Sequence, residues 1–346
     1  MNLRDIAIHR LHAQQLTKPH CSSPLQVVEW MGAVQAQDLP MALLAIVLRS
    51  EGGSVKSTEK AFDSNDIVRT HLMRPTWHIV SREDIYWMLD LTSSPIRRII
   101  KRRHSELEMD SKLLYKANIL LEKELQGKEF SRKEIVEVFK ENNIKTDENR
   151  LSHFLMYAEM EQLICSGSLA GRLQTYALLE EKVPEKKRLS REDSILKLTQ
   201  RYFNSHAPAT IADFAWWSGL TLKEIRWALH ELRHRFDSLN IGEETYYFPF
   251  EIKERELQRS SIHLLPAYDE FLVSYKSKHV CINNVHHRKA VSVNGIFTPI
   301  IVQDGQIVGT WKKKAVKKSV EIETNWFENR TINVNNQINH LKKILL

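Results

Sequence analysis

The sequence predicts an α+β protein in which pairs of helices are repeatedly followed by a β-hairpin. Helix-start signatures, a Ser or Thr followed three residues later by Glu or Asp, occur at Ser131, Thr210 and Thr221. Strand-like segments separated by small residues lie at 163–179, and another strand-like segment lies at 245–252. Two helices followed by a hairpin are typical of a winged helix, so the recurrence predicts successive winged-helix units.

The N-terminal region offers the first such unit. Its apolar spacing predicts helices at about 2–16, 24–34 and 39–49. Asp38 and Pro40 fit the N-cap and first turn of the third of these helices. Residues 67–80 then resemble two strands around a turn at 74–75, which makes them a candidate wing. Residues 81–84, Ser-Arg-Glu-Asp, predict a cap for the helix that follows.

The second unit begins with the clearest helix signal in the chain. Ser131 and Glu134 fit a capping box, and Phe130 and Ile135 are spaced as a hydrophobic staple. A second helix is predicted over about 148–161. The predicted strands of its hairpin are 163–167 and 171–179.

A third unit follows a charged, proline-containing linker near residue 186. Ser190 is predicted to open a helix, and Thr210 a shorter helix that ends at Gly219. Thr221 and Glu224 fit the capping box of the next helix. The strand-like residues 245–252 then predict its wing.

The C-terminal part is strand-like and predicts a small antiparallel sheet or barrel. Its strand-like stretches are 263–275, 294–313 and 319–326. A turn is predicted at Asp304-Gly305. The predicted domains are therefore 1–110, 111–186, 187–255 and 256–346.

The composition has a moderate basic excess, which is compatible with a polyanionic partner and equally with a protein that is simply basic and soluble. The 346 residues carry a formal net charge of +7. Three widely spaced cysteines give no disulfide framework, and the apolar run Met41–Leu48 is too short to span a bilayer. We therefore expect a cytoplasmic protein without membrane attachment. No nucleotide-binding or metalloprotease motif occurs, so no cofactor and no metal are expected.

The segment Gln35-Ala36-Gln37 is the candidate catalytic motif. If it is extended, both amide side chains project from the same face, beside the N-terminus of the helix that Asp38 caps. Asp38 is accordingly a helix cap with at most a supporting role. The alternative is that the two glutamines are ordinary solvated polar residues.

Two further segments could contact DNA. The first interleaves polar and basic residues with apolar ones along the predicted hairpin, and the second is a basic run on the helix after it. The candidate DNA-binding residues are Arg69, Thr70, His71, Arg74, Thr76, His78, Arg97, Arg98 and Arg102. The alternatives are a basic hairpin with alternating faces and a solvated helix face.

The sequence resembles the AlkZ-like family of winged-helix DNA glycosylases, which is related to the YcaQ proteins of bacteria. The resemblance lies in five ordered stretches, VQAQDLPMALLA, RTHLMRPTWHIV, HAPATIADFAWWSGLT, LLPAYDEFLVSY and FTPIIVQDGQIVGTWK. Ala207-Pro208 stands where the family pattern suggests Gly-Pro. The match extends over nearly the whole chain.

The resemblance implies three tandem winged-helix domains and a C-terminal β-barrel wrapped around duplex DNA. It implies hydrolysis of the N-glycosidic bond of bulky N7-alkylated purines, including interstrand crosslinks. It also makes Gln35 and Gln37 the motif glutamines. A single clamp-like chain predicts a monomer, associated with the bacterial nucleoid through DNA.

The chemistry agrees with this reading. An N7-alkylguanine is already positively charged and leaves readily, so the enzyme needs mainly to hold a water near C1′, which a glutamine carbonyl can do. No lysine is evident as a Schiff-base nucleophile, which favours a monofunctional, metal-independent glycosylase. The alternatives are a non-catalytic DNA-binding protein, such as a transcription regulator, and a protein-interaction scaffold.

Overall fold

The computed structural model describes residues 1–170, 173–254, 257, 259–316, 319–329 and 332–345. Gly171 and Arg172, at the start of a predicted strand, lie outside these residues, as do both residues of the predicted boundary at 255–256. The chain divides into unit 1, made of Met1–Thr58 and Ile195–Leu346, and unit 2, made of Glu59–Ser194. Among the described helices, none has the length and apolar character needed to cross a lipid bilayer.

The three predicted N-terminal helices are present, together with a short strand and a fourth helix that were not predicted. They are α1 (Leu3–Ala13), α2 (Pro24–Met31), β1 (Val34–Gln35), α3 (Leu39–Val47) and α4 (Val55–Asp63). The predicted cap of α3 is confirmed, because the Asp38 carboxylate accepts a hydrogen bond from the Met41 amide at 3.2 Å. Pro40 lies in the first turn of that helix, where no intrahelical partner for its missing amide is needed.

The next elements begin with the predicted hairpin. They are β2 (Ile67–Leu72), β3 (Thr76–Ser81), α5 (Ile85–Glu106), α6 (Ser111–Leu125), β4 (Phe130–Ser131), α7 (Arg132–Glu141), α8 (Arg150–Met160), β5 (Ile164–Ala170), β6 (Leu173–Leu178) and α9 (Leu179–Lys182). Strands β2 and β3 pair antiparallel, with Leu72 opposite Thr76, so the turn falls at residues 73–75 as predicted. The hairpin turn is tied to α5 by a hydrogen bond from the Met73 amide to Thr92 Oγ1 at 3.2 Å.

The predicted side-chain cap of α5 is wrong. Asp84 is the N-cap residue, but its side chain makes no cap hydrogen bond to the first turn of the helix. Instead, the Asp84 carboxylate accepts from Ser81 Oγ at 2.6 Å and from Trp87 Nε1 at 2.9 Å. The buried Trp87 indole therefore occupies the Asp84 carboxylate, which would otherwise accept a hydrogen bond from a helix amide.

The rest of unit 2 packs around an apolar cluster to which α6, α7 and α8 contribute side chains. The predicted capping box of α7 is confirmed, with Glu134 bonded to the Ser131 amide at 2.7 Å and Ser131 Oγ accepting from the Glu134 amide at 3.3 Å. The three strands pair in the order β4-β6-β5. The most deeply buried side chains of this cluster include Leu121, Leu125, Ile135, Phe139, Phe154, Leu155 and Ile164.

The chain then returns to unit 1. The elements are α10 (Arg191–Ser205), β7 (Ala209–Thr210), α11 (Ile211–Ser218), α12 (Leu222–Glu231), β8 (Phe236–Ile241), β9 (Glu244–Pro249), β10 (Ile262–Leu265), α13 (Glu270–Val273), α14 (His287–Ala290), β11 (Ile300–Gln303), β12 (Gln306–Val316), β13 (Ser319–Trp326) and α15 (Asn335–Leu345). Short 3-10 helices lie at Phe250–Glu254 and Asn284–His286. The predicted capping boxes at Thr210 and Thr221 are both present.

One order of elements occurs twice. A helix, a short strand, two helices and a hairpin appear as α6-β4-α7-α8-β5-β6 and again as α10-β7-α11-α12-β8-β9. The strands pair as β4-β6-β5 in the first set and as β7-β9-β8 in the second. The two sets therefore share both their element order and their strand pairing.

The predicted C-terminal barrel is not closed. Within the described residues, the strands form an open antiparallel sheet in the order β10-β11-β12-β13. Helix α15, which the sequence did not predict, packs against both β10 and β13. Its Leu341 is buried in the same apolar cluster as Trp311 and Ile301. A helix thus covers the apolar face that barrel closure would otherwise bury.

The strand predicted over 263–275 is also partly wrong. Only Ile262–Leu265 is a strand, and Glu270–Val273 is a helical turn. The Asp269 carboxylate caps that turn by accepting from the Phe271 amide at 2.9 Å. Pro266 ends the run that could extend the β10 ladder, since proline has no amide hydrogen to donate.

The β11–β12 turn gives a first prediction. Gly305 has a φ of +77°, and a Cβ there would lie 2.6 Å from the Ala7 carbonyl carbon of α1. We expect Gly305→Ala to lower the free energy of unfolding by about 2 to 5 kcal/mol, from backbone strain and overpacking together. Urea denaturation measures this, with Gly242→Ala as the matched control.

Gly242 separates the two costs. Its φ is +60°, but nothing lies within 4 Å of its Cβ position. Gly242→Ala should therefore cost only the backbone strain, about 1 to 2 kcal/mol. Equal losses from the two substitutions would contradict the close approach of the turn to α1.

Candidate active site

The candidate catalytic glutamines lie where β1 leads into α3. Gln35 is the last residue of β1 and only 4% exposed, whereas Gln37 is exposed to solvent. The strand ends at Gln35, and a bend at residues 37–38 leads into α3. The two glutamines thus differ sharply in burial, while the shared orientation expected for their side chains stays a prediction.

A hydrogen bond nevertheless couples the two glutamines. The backbone amide of Gln37 donates to the side-chain oxygen of Gln35, Oε1, at 3.2 Å. This bond uses one lone pair of the Gln35 carbonyl and fixes the backbone from which the Gln37 side chain extends. The exposed carboxamide of Gln37 thus stands beside the N-terminus of α3, with its partner held in the protein interior.

Asp38 belongs to the same segment but has a structural task. Its carboxylate caps α3 through the Met41 amide. A carboxylate at a helix N-terminus also interacts favourably with the helix dipole. The structure therefore accounts for Asp38 without a chemical role.

The buried side of Gln35 rests on a carboxylate that the sequence did not single out. The backbone amide of Gln35 donates to Glu270 Oε1 at 2.5 Å, and Glu270 is 1% exposed. Glu270 Oε2 accepts from Trp217 Nε1 at 3.1 Å and from Ser274 Oγ. His206 Nε2 lies 3.6 Å from the same oxygen, and burial lowers the pKa of His206. All five residues belong to unit 1.

The hairpin residues in unit 2 are more buried than the sequence suggested. Arg69, Thr70, His71 and His78 are all at least 95% buried. The Arg69 amide donates to Ser166 Oγ at 2.8 Å. Both strands of the hairpin therefore have polar side chains turned into the protein rather than towards solvent.

One of these buried groups is an acid–imidazole pair. The His71 amide donates to Glu159 Oε2 at 3.0 Å, and the His71 ring Nδ1 contacts the same oxygen. The ring centroids of Trp77 and His71 lie 4.2 Å apart. The Arg69 guanidinium carbon lies over the Trp77 ring, 4.4 Å from its centroid. These contacts stiffen the hairpin, while Arg74 and Thr76 at its turn are partly exposed.

The basic run on α5 is partly neutralised by nearby acids. Arg97 pairs with Glu161 at 3.0 Å, and Arg102 pairs with Glu106 at 2.9 Å. Arg98 and Lys101 are exposed, and their side chains make no hydrogen bond or ion pair with other described residues. The available charge of this run is therefore concentrated on the latter two.

A second cationic face, on α12, was missed. Lys223, Arg226, Trp227 and His230 are all exposed and recur at helical spacing. The Trp227 ring is 36% exposed. Their spacing in the sequence could have revealed the face, because the intervening Ile225, Ala228 and Leu229 form the buried side.

Comparison of the sequence with known proteins shows the family to which the chain belongs. A family model described as DNA glycosylase AlkZ-like matches residues 28–342, which confirms the resemblance seen in the sequence. An interstrand DNA cross-link repair glycosylase from Streptomyces sahachiroi is 22% identical over 333 residues, covering 89% of this chain and 87% of that protein.

One solved structure has a similar fold. The Streptomyces sahachiroi DNA glycosylase AlkZ matches with a TM-score of 0.83 and 18% identity, over 99% of this chain and 96% of that chain. This likeness shows that the α+β fold is shared. Because the family model covers most of the sequence, the chain belongs to the AlkZ-like DNA glycosylase family.

Proposed function

We propose that the protein is a DNA glycosylase that hydrolyses the N-glycosidic bond of N7-alkylated purines in duplex DNA, including bulky and crosslinked purines. The observation that carries this proposal is the exposed Gln37 carboxamide, backed by buried Gln35 at the N-terminus of α3. Membership of the AlkZ-like family supports it, as does the crosslink-repair name of a relative.

We assign Gln37 the task of holding the water that attacks the sugar. An N7-alkylated purine carries a positive charge and leaves without strong acid assistance, so the enzyme needs neither a Lewis acid nor a covalent nucleophile. The Gln37 carbonyl oxygen accepts a hydrogen bond from the attacking water, and its dipole faces the developing oxocarbenium charge. Gln35 orients this group through the Gln37 amide. The proposed reaction is therefore monofunctional and metal-independent.

We further propose that the chain consists of three winged-helix domains, at 1–110, 111–186 and 187–255, followed by the C-terminal sheet region. The repeated order of helices and hairpins supports the second and third domains. The partner is double-stranded DNA, bound by a monomer in the cytoplasm at the nucleoid. Enzymes that act on bases commonly extrude them into a pocket, and a crosslinked base resists this, so we expect an open cleft.

The structure refines which predicted residues we assign to DNA contact. Arg98 and Lys101 on α5 are exposed, whereas Arg74 and Thr76 at the hairpin turn are only partly exposed, with the Thr76 hydroxyl and Arg74 Nε buried. We assign Arg69, Thr70, His71 and His78 to supporting the hairpin from within, because their side chains are buried. Arg97 and Arg102 have acidic partners and contribute less charge to a phosphate contact.

Salt dependence tests this division of the arginines. Each phosphate contact contributes about 0.9 to the slope of log affinity against log salt. We expect Arg98→Ala to reduce the slope for undamaged duplex by about 0.9. Arg102→Ala, whose charge Glu106 already offsets, should change it much less. Fluorescence anisotropy at several salt concentrations measures both, and an equal change from both variants would contradict the assignment.

Base release tests the proposed function itself. Purified protein is incubated with duplex DNA that contains N7-methylguanine, and with duplex that contains a bulky N7 adduct. Release of the free modified base from both, leaving an abasic site without strand cleavage, is expected. No release from either substrate would overturn the proposal.

The α12 face favours one other candidate, a sequence-reading regulator without catalysis. An exposed helix with Lys223, Arg226 and Trp227 is a surface that such a protein would also present. A regulator prefers one undamaged sequence over all others. A repair enzyme instead prefers lesions whatever the flanking sequence, so competition binding separates the two candidates.

A further inference from the structure

The carboxylate of Glu270 is the most completely engaged acid beside the candidate motif. It is 1% exposed, and its oxygens accept from the Gln35 amide, from Trp217 Nε1 and from Ser274 Oγ. The first two partners can only donate. Both carboxyl oxygens are therefore engaged as acceptors, Oε1 by the Gln35 backbone amide and Oε2 by Trp217 and Ser274.

A chain of two hydrogen bonds leads from this carboxylate to Gln37. Glu270 Oε1 accepts from the Gln35 amide at 2.5 Å, and Gln35 Oε1 accepts from the Gln37 amide at 3.2 Å. The position of the exposed Gln37 is thus determined, step by step, from the protein interior.

Glu270 itself is rigidly placed. It is the first residue of α13, and the preceding Asp269 accepts hydrogen bonds from Arg49 Nη1 and Nη2, at 2.9 and 2.8 Å. Ser274, one helical turn later, contacts Glu270 from the other end of the same short helix. The carboxylate therefore has little freedom to follow a displaced Gln35.

We propose that Glu270 is a positioning residue for base release: it fixes Gln35, and through Gln35 the Gln37 carboxamide, without touching DNA. This inference rests on the proposed function. Partners that orient the ligands of a catalytic metal from behind typically contribute about 10- to 100-fold to activity, and Glu270 stands in the same relation to the glutamines. We expect an effect of that size on the chemical step and none on DNA affinity.

Glu270→Gln is the informative substitution. A carboxamide has one acceptor oxygen, so its amino group must face either the Gln35 amide or Trp217 Nε1, and both of these are donors. We expect the single-turnover rate constant for N7-methylguanine release to fall about 10- to 100-fold. The dissociation constant for the same duplex should stay within about two-fold, since a buried residue makes no phosphate contact.

Two further variants keep the test decisive. Glu270→Asp keeps the charge but withdraws it by one methylene, so a smaller loss of rate is expected. Ser218→Ala removes a different buried hydroxyl, which donates to the Phe214 carbonyl at 2.7 Å and accepts from the Leu220 amide at 3.2 Å, and serves as the control for lost interior hydrogen bonds. If Glu270→Gln does not fold, Glu270→Asp against this control decides the question.

A double-mutant cycle distinguishes positioning from general destabilisation. If Glu270 acts through Gln37, adding Glu270→Gln to Gln37→Ala should lower the rate by less than about three-fold, since coupled effects do not add. Additive losses, an unchanged rate in Glu270→Gln, or parallel losses of rate and DNA affinity would each overturn the inference. Failure of the proposed function is a separate result, because the wild-type protein would then release no base.

Discussion

Gln37→Ala is expected to reduce release of N7-methylguanine from duplex DNA by about 10²-fold or more under single-turnover conditions. Removing one preorganised polar group that acts on the transition state typically costs about 10² to 10³ in rate. Gln37 is exposed and next to the N-terminus of α3, where its carbonyl can meet a water at the sugar. The alanine variant keeps the backbone bond to Gln35 and loses only that group.

Gln35→Ala should have a smaller effect through a different route. It removes the acceptor of the Gln37 amide and leaves Gln37 less well oriented, so a loss of about 10-fold is expected. Gln126→Ala, at an exposed glutamine after α6, is the matched control and should retain full activity. The catalytic assignment fails if the double variant Gln35→Ala, Gln37→Ala releases base as fast as the wild type.

The largest expected effect on stability comes from Arg49. Its guanidinium is 1% exposed, and it holds Asp269 through two hydrogen bonds of 2.9 and 2.8 Å. It also donates to the Ala45 carbonyl and to Gln14 Oε1. Arg49→Ala leaves the Asp269 charge buried without its partner, which typically costs about 3 to 5 kcal/mol.

Urea denaturation of the whole chain measures this cost. Arg4→Ala is the control, because Arg4 faces Asp304 at 3.8 Å with its side chain 60% exposed and should contribute about 0 to 1 kcal/mol. Replacing both Arg49 and Asp269 with apolar residues should be less damaging than Arg49→Ala alone. A loss below about 1 kcal/mol for Arg49→Ala would show that Asp269 finds other partners.

Features determined by neighbouring residues could be predicted from the sequence. The capping boxes at Ser131 and Thr221 each need only a hydroxyl and a carboxylate three residues apart, and both form. The hairpin turn near Arg74 and the turn at Asp304-Gly305 are equally local. In the second turn both residues have positive φ, which suits the twist of a two-residue hairpin.

The failures come from partners far along the chain. Alternation in β2 suggested an accessible face, but Glu159 of α8 and Ser166 of β5 turn that face into an interior one. The helical turn α13 depends on Asp269, whose guanidinium partner lies 220 residues earlier. Periodicity within a short window contains no information about such contacts.

The candidate site was predicted in part for the same reason. Gln35, Gln37 and Asp38 were recognised from local spacing and from a family resemblance. Glu270 was not, because its bond to the Gln35 amide joins residues 235 positions apart. The resemblance did include the stretch that contains Glu270, yet a matching stretch does not reveal which atom it contacts.

Unit 1 is assembled from the first 58 residues and from those after 194, with unit 2 between them in the sequence. During synthesis, Arg49 therefore leaves the ribosome 220 residues before Asp269. At about 5 to 20 residues per second, this interval lasts about 10 to 45 s. Throughout it, the segment bearing Gln35 has neither its buried carboxylate nor its ion-pair partner. The nascent N-terminal helices must avoid aggregation for that time. The contacts of Gln35 with Glu270, and of Glu270 with Ser274, can form only after residue 274 has been synthesised.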